Sequence, residues 1–170
     1  EIVKRVDLTP ELVIVQIKPD QGFGEFEPGQ YVALGLPGSH ARYSGAPPEE
    51  TPAAPEKLIK RSYSIGSSPT DSEALEFYIA IVPDGALTSR LAVLREGGRL
   101  WMAPKIVGTF TAKELDADRN LILVSTGTGI APYMSMIRTP RFWTAGRRIT
   151  ILHGVRYAKD FAYRDELLAL

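Results

Sequence analysis

Short apolar runs separated by turn-forming residues dominate the first hundred positions of the chain. The runs are rich in β-branched and aromatic side chains and cover residues 12–17, 31–36, 76–82 and 99–102. Glycine and proline lie between them, as in Pro28-Gly29 and Pro83-Asp84-Gly85. Several short strands divided by such turns are typical of an antiparallel β-sandwich or barrel.

The pattern becomes α/β from about residue 119. Residues 121–125 form a continuous apolar run, as expected for a parallel strand buried on both faces, and residues 149–153 form a second run. Helical patterns follow over residues 133–138 and from about residue 159 to the end. This order predicts the beginning of a doubly wound sheet. Because two parallel strands do not make a sheet with both faces covered, the chain is expected to be a fragment.

Residues 37–57 differ from both regions. They contain five prolines, at positions 37, 47, 48, 52 and 55, with glycine, serine and glutamate between them. Such a stretch forms neither a regular strand nor a helix, and a long surface loop is predicted. A disordered insertion and a functional lid both remain open.

Charge and composition exclude several classes of function. Among 170 residues, 20 basic side chains balance 20 acidic ones, so net charge gives no reason to expect nucleic acid or an anionic membrane. No cysteine is present, which excludes thiolate metal sites, iron–sulfur clusters and cysteine nucleophiles within these residues. No apolar run approaches the roughly 18 residues needed to span a bilayer, and residues 1–5 lack a signal-peptide pattern. A cytoplasmic protein is expected.

One tetrapeptide combines three kinds of ligand-binding group. On a strand at residues 61–64, Arg61 and Tyr63 point to one face, and Ser62 and Ser64 point to the other. They provide a cation for phosphate, a flat ring for stacking and hydroxyls for hydrogen bonds, which suits a flavin nucleotide. An ordinary exposed strand is the alternative.

A second candidate lies at residues 84–91. The segment follows a strand and opens a helix predicted to run to about Leu94, with Thr88 or Ser89 as the N-cap. The free backbone N–H groups and the helix dipole favour a pyrophosphate at this position. A capped helix without a ligand is the alternative.

A third candidate connects the first parallel strand to its helix, at Gly127-Thr128-Gly129-Ile130-Ala131-Pro132. The glycines allow close approach of the backbone to a phosphate, and Pro132 suits the first turn of a helix. The segment departs from G-x-G-x-x-G and lacks the G-K-[ST] of an ATP-type loop. A tight turn used for packing alone is the alternative.

The second parallel strand ends at His153-Gly154-Val155-Arg156. Ligands bind at the carboxyl ends of such strands, so Arg156 is a candidate for the 2′-phosphate of NADP. The alternative for Arg156 is a surface salt bridge with Asp160. His153 is interpreted as structural rather than catalytic.

In this order and spacing, the motifs resemble those of the bacterial type of the ferredoxin–NADP(+) reductase family. The matching segments span nearly the whole chain: residues 26–31, 61–65, 85–91, 127–132 and 153–156. The resemblance implies an antiparallel β-barrel that binds FAD, followed by the first half of a Rossmann-like α/β domain that binds NADP(H). The implied boundaries are 1–104 for the barrel, 105–118 for a connector and 119–170 for the α/β part.

The resemblance also implies a role for each site residue. Arg61 would neutralise the FAD pyrophosphate, Tyr63 would stack on the isoalloxazine, and Ser64 would hydrogen-bond near its reactive N5. The remaining assignments implied are Ser62 with the same strand, Phe77, Tyr78 and Ile79 beside the flavin, Leu87, Thr88 and Ser89 at the pyrophosphate, Gly127, Thr128 and Gly129 where nicotinamide meets flavin, and Arg156 at the 2′-phosphate.

The implied reaction passes a hydride from NADPH to flavin N5 and then single electrons to ferredoxin or flavodoxin. Two other classes stay open. One is a reductase component or electron-transfer subunit of an oxygenase or another multi-protein complex, and the other is a binding module that has lost its flavin.

Overall fold

The computed structural model describes residues 1–71, 73–116, 118–143 and 146–170. The predicted connector, 105–118, therefore includes one residue, Ala117, that lies outside the described part. In chain order the elements are β1 (Ile2–Thr9), β2 (Leu12–Ile17), β3 (Tyr31–Pro37), β4 (Leu58–Ser64), β5 (Leu75–Ala80), α1 (Thr88–Leu91), β6 (Trp101–Met102), β7 (Leu121–Thr126), α2 (Ala131–Ile137), β8 (Ile149–Gly154) and α3 (Arg164–Leu168).

The six strands β1 to β6 form two antiparallel sheets, in the orders β1-β2-β5 and β4-β3-β6. Alternate residues of β2 and most of β3 face a shared core that also includes Leu87 and Leu91. No ladder joins the two sheets among the described residues. The predicted antiparallel β-architecture is confirmed, and closure into a barrel stays a prediction.

Strand β5 is buried along almost its whole length because it lies between two hydrophobic cores. We call the part of the chain from β1 to β6 the β-region. Phe77 and Ile79 belong to its core. Tyr78 points the other way, into a second core formed with Ile130 and Met134. This position explains an apolar run that shows no alternation.

The C-terminal part has two parallel strands, β7 and β8, paired in register from Leu121 opposite Ile149 to Thr126 opposite Gly154. A 3₁₀ turn, Gly127–Ile130, leads directly into α2, and Pro132 lies in the first turn of that helix as predicted. The predicted strand–turn–helix–strand order is therefore confirmed.

Several local expectations differ from the structure. The sequence reading omitted β1, whose central residues are mostly exposed and so lack an alternating apolar pattern. Helix α1 ends at Leu91 rather than near Leu94, and the predicted C-terminal helix is a 3₁₀ turn, Ala158–Asp160, followed by the short α3. β7 was expected to be buried on both faces, yet Ile122 and Val124 are 67% and 61% exposed. No described element covers that face.

We call the part of the chain from β7 to α3 the α/β-region. Polar contacts next to β5 join it to the β-region. Arg138 donates hydrogen bonds to Glu76 Oε1 at 2.7 Å and to the carbonyl of Gly66 at 2.8 Å. The Tyr163 hydroxyl donates to the same Glu76 oxygen at 3.0 Å. Ser135 Oγ donates to the carbonyl of Ser67 at 2.7 Å.

Candidate functional site

The edge strand β4 carries the first group of candidate residues. Its register with β3 places Arg61 opposite Leu34 and Tyr63 opposite Val32, so Arg61 and Tyr63 share a face as predicted. Arg61 is exposed, and its one side-chain hydrogen bond within the described residues goes to the carbonyl of Lys60. Its cationic group forms no ion pair with any described carboxylate, so it is available to an anionic ligand.

Tyr63 and Ser64 lie beside this cation but are half-buried. Burial raises the pKa of the Tyr63 hydroxyl to about 12, against a smaller opposing effect of the Arg61 charge. Tyr63 is therefore neutral at physiological pH and can offer a ring face and a hydrogen-bond donor. Ser62 and Ser64 lie on the other face, and Ser64 pairs with Tyr31 of β3.

The residues assigned to the flavin on β5 have buried side chains. Phe77, Tyr78 and Ile79 are all buried, and the Tyr78 hydroxyl donates to the carbonyl of Asp160 at 3.2 Å. Their side chains fill the two cores, which leaves the main chain and the half-buried end of the strand at Ala80 to face a ligand.

The turn at residues 85–91 is built differently from the prediction. Leu87, whose side chain is buried, occupies the cap position of α1, and no side chain caps the helix. The predicted N-cap role of Thr88 or Ser89 is therefore wrong. Thr88 Oγ1 instead bonds the main chain of Val82, donating to its carbonyl at 2.9 Å, and the Ser89 hydroxyl accepts from Arg42.

The same turn still offers polar main-chain groups. The N–H groups of Ala86, Leu87 and Thr88 donate to no acceptor within the described residues. Three successive unpaired donors in one turn suit a phosphate group.

The 3₁₀ turn after β7 brings the glycine-rich segment against β5. Gly127 has a φ of +50°, a left-handed conformation that favours glycine, and a Cβ atom there would meet nothing within 4 Å. Open space therefore borders the backbone of Gly127. Thr128 is half-buried and Gly129 is exposed.

A cleft of about 910 Å³ opens at the carboxyl ends of β7 and β8. Arg156 and Gly127 line it together with the turn between β1 and β2 and the end of β5. Arg156 forms no salt bridge with Asp160 or with any other described carboxylate; the Asp160 carboxylate accepts from the Tyr157 N–H at 3.2 Å. The cleft combines the predicted nucleotide turn with the predicted phosphate-binding arginine.

Two further residues of this cleft were missed by the sequence analysis. Tyr157 and Lys159 line it, and the Lys159 ammonium lies 5.6 Å from the centre of the Tyr157 ring. Their position directly after the strand-end motif was the available signal. Glu11 and Asp160 also line the cleft, so its charge is mixed.

His153 and Ser125 join the ends of the two parallel strands. Ser125 Oγ and His153 Nδ1 are 2.8 Å apart, and His153 Nε2 is buried without a partner among the described residues. Burial lowers the pKa of the imidazole, and the Ser125 contact opposes this shift. These contacts fit the structural role predicted for His153.

The structure brings some candidate residues together and not others. Gly127, Arg156 and the end of β5 meet in the cleft. Arg61, Tyr63 and Ser64 lie elsewhere on the β-region, on the edge strand β4, and do not line this cleft. The two groups would need a long ligand, or two ligands, to act together.

Comparison of sequences gives an independent view of this arrangement. Residues 123–170 match the model of the oxidoreductase NAD-binding domain family. The chain is 39% identical over 140 residues to a ferredoxin–NADP reductase of Pseudomonas aeruginosa. This alignment covers 82% of this chain and 48% of that protein. A ferredoxin–NADP reductase of Azotobacter vinelandii is 37% identical over 140 residues, with the same coverage. The chain thus spans about half the length of the curated relatives it matches.

Comparison of structures shows the fold. A crystal structure of a ferredoxin NADP+ reductase from Neisseria gonorrhoeae, with bound FAD and NADP, superposes with a TM-score of 0.80 at 23% identity. It covers 99% of this chain and 61% of that chain. Phthalate dioxygenase reductase superposes with a TM-score of 0.71 at 19% identity, covering 98% of this chain and 46% of that chain.

Two other kinds of site are absent from the described residues. None of the described helices has the length and apolar character that a bilayer-spanning helix requires. In the same part of the chain, no three His, Cys, Asp or Glu side chains are grouped as metal ligands would be.

Proposed function

The chain belongs to the ferredoxin–NADP reductase family, and on that premise we propose that it is the FAD-binding part and the beginning of the NADP-binding part of an electron-transfer oxidoreductase. The proposed division is 1–104 for the FAD domain, 105–118 for the connector and 119–170 for the NADP domain. A cytoplasmic location is part of the same proposal.

The cleft between the two regions is the observation that carries this function. Hydride transfer between two nucleotides requires their reactive rings to meet within about 3–3.5 Å. Gly127 and Arg156 of the α/β-region line the cleft together with the end of β5. A nicotinamide nucleotide in this cleft would therefore lie next to the strand proposed to flank the flavin.

The described residues fit FAD. The unpaired cation of Arg61 and the free N–H groups at residues 86–88 suit a diphosphate, and the neutral ring of Tyr63 suits stacking. Ser64 provides a hydroxyl for the reactive edge. The chemistry supplied by bound FAD is hydride acceptance from NADPH and release of single electrons.

The glycine-rich turn at residues 127–129 and the side chain of Arg156 hold and orient the nicotinamide nucleotide. The backbone at Gly127, Thr128 and Gly129 permits close approach of the nicotinamide, and Arg156 binds the 2′-phosphate of NADPH. The turn packs against β5, which is almost wholly buried. This packing would exclude water from one side of the reacting rings.

Ferredoxin or flavodoxin is the proposed electron partner. This assignment comes from the reductases that the chain resembles in sequence, which are named for ferredoxin or for both proteins. A second candidate is a reductase component of an oxygenase, which the shared fold with phthalate dioxygenase reductase favours. Because these 170 residues contain no cysteine, an iron–sulfur centre for that role would have to lie outside them.

The spectrum of the purified chain tests the proposal. We expect the chain to copurify with, or to take up, FAD and to show visible flavin absorption bands that NADPH bleaches faster than NADH does. A colourless chain that takes up no added FAD would overturn the function. Equal bleaching by the two nucleotides would overturn only the preference for NADP.

A further inference from the structure

The segment between β3 and β4, residues 38–57, is ordered by contacts rather than by regular structure. The Gly38 N–H donates to the carbonyl of Lys57, and the Ser39 N–H donates to the carbonyl of Pro55, both at 2.9 Å. These bonds continue the β3–β4 pairing beyond the strands and close the base of the segment. We call residues 38–57 the strap.

A buried ion pair holds the middle of the strap against the turn at residues 85–91. The Arg90 side chain is 3% exposed and donates to both carboxylate oxygens of Glu49, at 2.7 and 3.0 Å. It also donates to the carbonyls of Gly38 and Ala86, at 2.9 and 2.7 Å. One guanidinium therefore joins the base of the strap, its middle and the turn.

A second attachment uses Ser89 of the same turn. Arg42 Nε donates to Ser89 Oγ at 3.0 Å, and the Tyr43 N–H donates to the Ser89 carbonyl at 3.0 Å. Arg42 Nη1 donates in addition to the carbonyl of Pro47 at 2.6 Å. Both the side chain and the main chain of Ser89 are thus bonded to the strap, and Ser89 is fully buried, so it presents no exposed surface to a ligand.

We propose that the strap positions the turn at residues 85–91 for the diphosphate of FAD, with Glu49, Arg90 and Arg42 as positioning residues. This inference rests on the proposed function. It also changes the role of Ser89, which would hold the turn in place rather than contact the diphosphate.

The physical argument is preorganisation. A helix of four residues such as α1 is too short to be stable by itself, so the direction of the N–H groups at residues 86–88 depends on outside contacts. Removal of the Glu49 charge leaves the Arg90 guanidinium buried without its ion partner, and the turn must relax to solvate it. A ligand that binds the relaxed turn must order it again and so binds more weakly.

Glu49→Gln in the FAD-loaded chain tests this role, with Glu50→Gln as the matched control. Glu50 is adjacent and exposed and forms no ion pair with a described residue. The release of FAD is followed by the rise in flavin fluorescence on dilution. We expect release to be about tenfold faster for Glu49→Gln, which at an unchanged association rate is a tenfold weaker complex, and within about twofold of the parent for Glu50→Gln.

A third variant separates positioning from loss of general stability. Val15→Ala truncates a buried core residue of β2 that is not part of the turn or the strap. Glu49→Gln and Val15→Ala are compared at temperatures equally far below their own unfolding midpoints. Fast release from Glu49→Gln alone supports the strap, whereas equally fast release from both variants overturns it.

The outcomes also separate the strap from the function on which it rests. A parent chain that binds no FAD contradicts the proposed function. A parent chain that binds FAD, with unchanged release from Glu49→Gln, contradicts the strap and leaves the function standing.

Discussion

At the scale of single residues, neighbouring side chains of one strand carry different chemistry. Arg61 offers an unpaired charge, Tyr63 a neutral ring, and Ser64 a half-buried hydroxyl. Alternation along the strand gives Arg61 and Tyr63 one face and Ser64 the other. Their separate roles can therefore be tested one at a time.

Ser64→Ala is expected to retain FAD but to slow flavin reduction by NADPH by about 10- to 100-fold, since it removes one hydrogen bond at the reactive edge. Stopped-flow absorbance in a form of the protein that NADPH reduces measures the rate. Ser64→Thr, which keeps a hydroxyl at this position, is the control and should retain most of the rate. An unchanged rate in Ser64→Ala would remove Ser64 from the reaction.

Arg156→Ala is expected to weaken NADPH binding by about 10- to 100-fold, because it removes a charge-assisted contact to the 2′-phosphate. NADH lacks this phosphate, so its binding should change little. Titration of the FAD-loaded protein with each nucleotide compares the two. Equal weakening of NADPH and NADH would contradict this role of Arg156.

The burial of the His153 imidazole makes the stability of the protein depend on pH. Burial lowers its pKa in the folded protein below the 6.5 of the unfolded chain. The folded state therefore favours the neutral imidazole, and its contribution to stability is fully present above about pH 6.5 and is lost as the pH falls below that value through the lower pKa of the folded protein. We expect the parent to lose more stability than His153→Gln between about pH 8 and pH 5 in urea unfolding. Parallel losses in the two proteins would contradict this expectation.

At the scale of elements, a turn before β3 shows how local sequence and tertiary contact combine. The Gln30 N–H donates to the carbonyl of Glu27 at 3.1 Å, with Pro28 and Gly29 between them. Gly29 has a φ of +97°, which matches the third position of a type II turn. The sequence alone indicates this turn, but it does not show what the turn packs against.

Gly29→Ala is expected to destabilise the protein by about 3 kcal/mol, combining left-handed strain with overpacking. A Cβ atom at this position would lie 2.0 Å from the Phe110 carbonyl oxygen. Gly22→Ala is the control, since Gly22 also has a positive φ, +71°, but has nothing within 4 Å, and we expect a loss of about 1 kcal/mol. Urea unfolding compares the two variants, and equal losses would show that contact with Phe110 does not matter.

Strands β5 and β7 show two outcomes for similar apolar runs. The apolar side chains of β5 are buried on both faces of the strand, because Phe77 and Tyr78 enter different cores. Those of β7 are buried on one face only, since Ile122 and Val124 are exposed on the other. A run of apolar residues indicates what a strand can bury, whereas the neighbouring elements decide what it does bury.

At the scale of the whole molecule, a polar cluster lies beside the hydrophobic core that Tyr78 of β5 shares with Ile130 and Met134. Glu76 accepts hydrogen bonds from both Arg138 and Tyr163, and Arg138 also binds Glu166 at 2.6 Å. Tyr163 has a φ of +61°, a conformation unusual for a non-glycine residue. These polar contacts thus lie beside the strand that separates the two cores.

Arg138→Gln is expected to lower the free energy of unfolding by about 2 to 4 kcal/mol, because it leaves the mostly buried Glu76 without a cationic partner. Arg141→Gln is the control, since Arg141 pairs with Glu27 at an exposed position and should cost no more than about 1 kcal/mol. Thermal or urea unfolding measures both variants. A loss for Arg138→Gln as small as that for Arg141→Gln would show that the cluster does not hold the regions together.

The sequence by itself determined most of the strands and turns, with β1 as the exception, and the presence of the glycine-rich turn. These features depend on local causes: β-branched runs form strands, and Pro28-Gly29 and Gly127 allow backbone conformations that other residues resist. The family resemblance was predictable for the same reason, because it is carried by short contiguous motifs.

Only the tertiary structure decided which polar groups are already used. Ser89 and Thr88 are residue types that often cap helices. Here the Ser89 hydroxyl bonds Arg42 and the Thr88 hydroxyl bonds Val82 instead. The proline-rich segment has no periodicity, yet the ion pair of Glu49 and Arg90 joins positions 41 residues apart. Pairing over such distances depends on where the chain returns in space, and no local pattern specifies that.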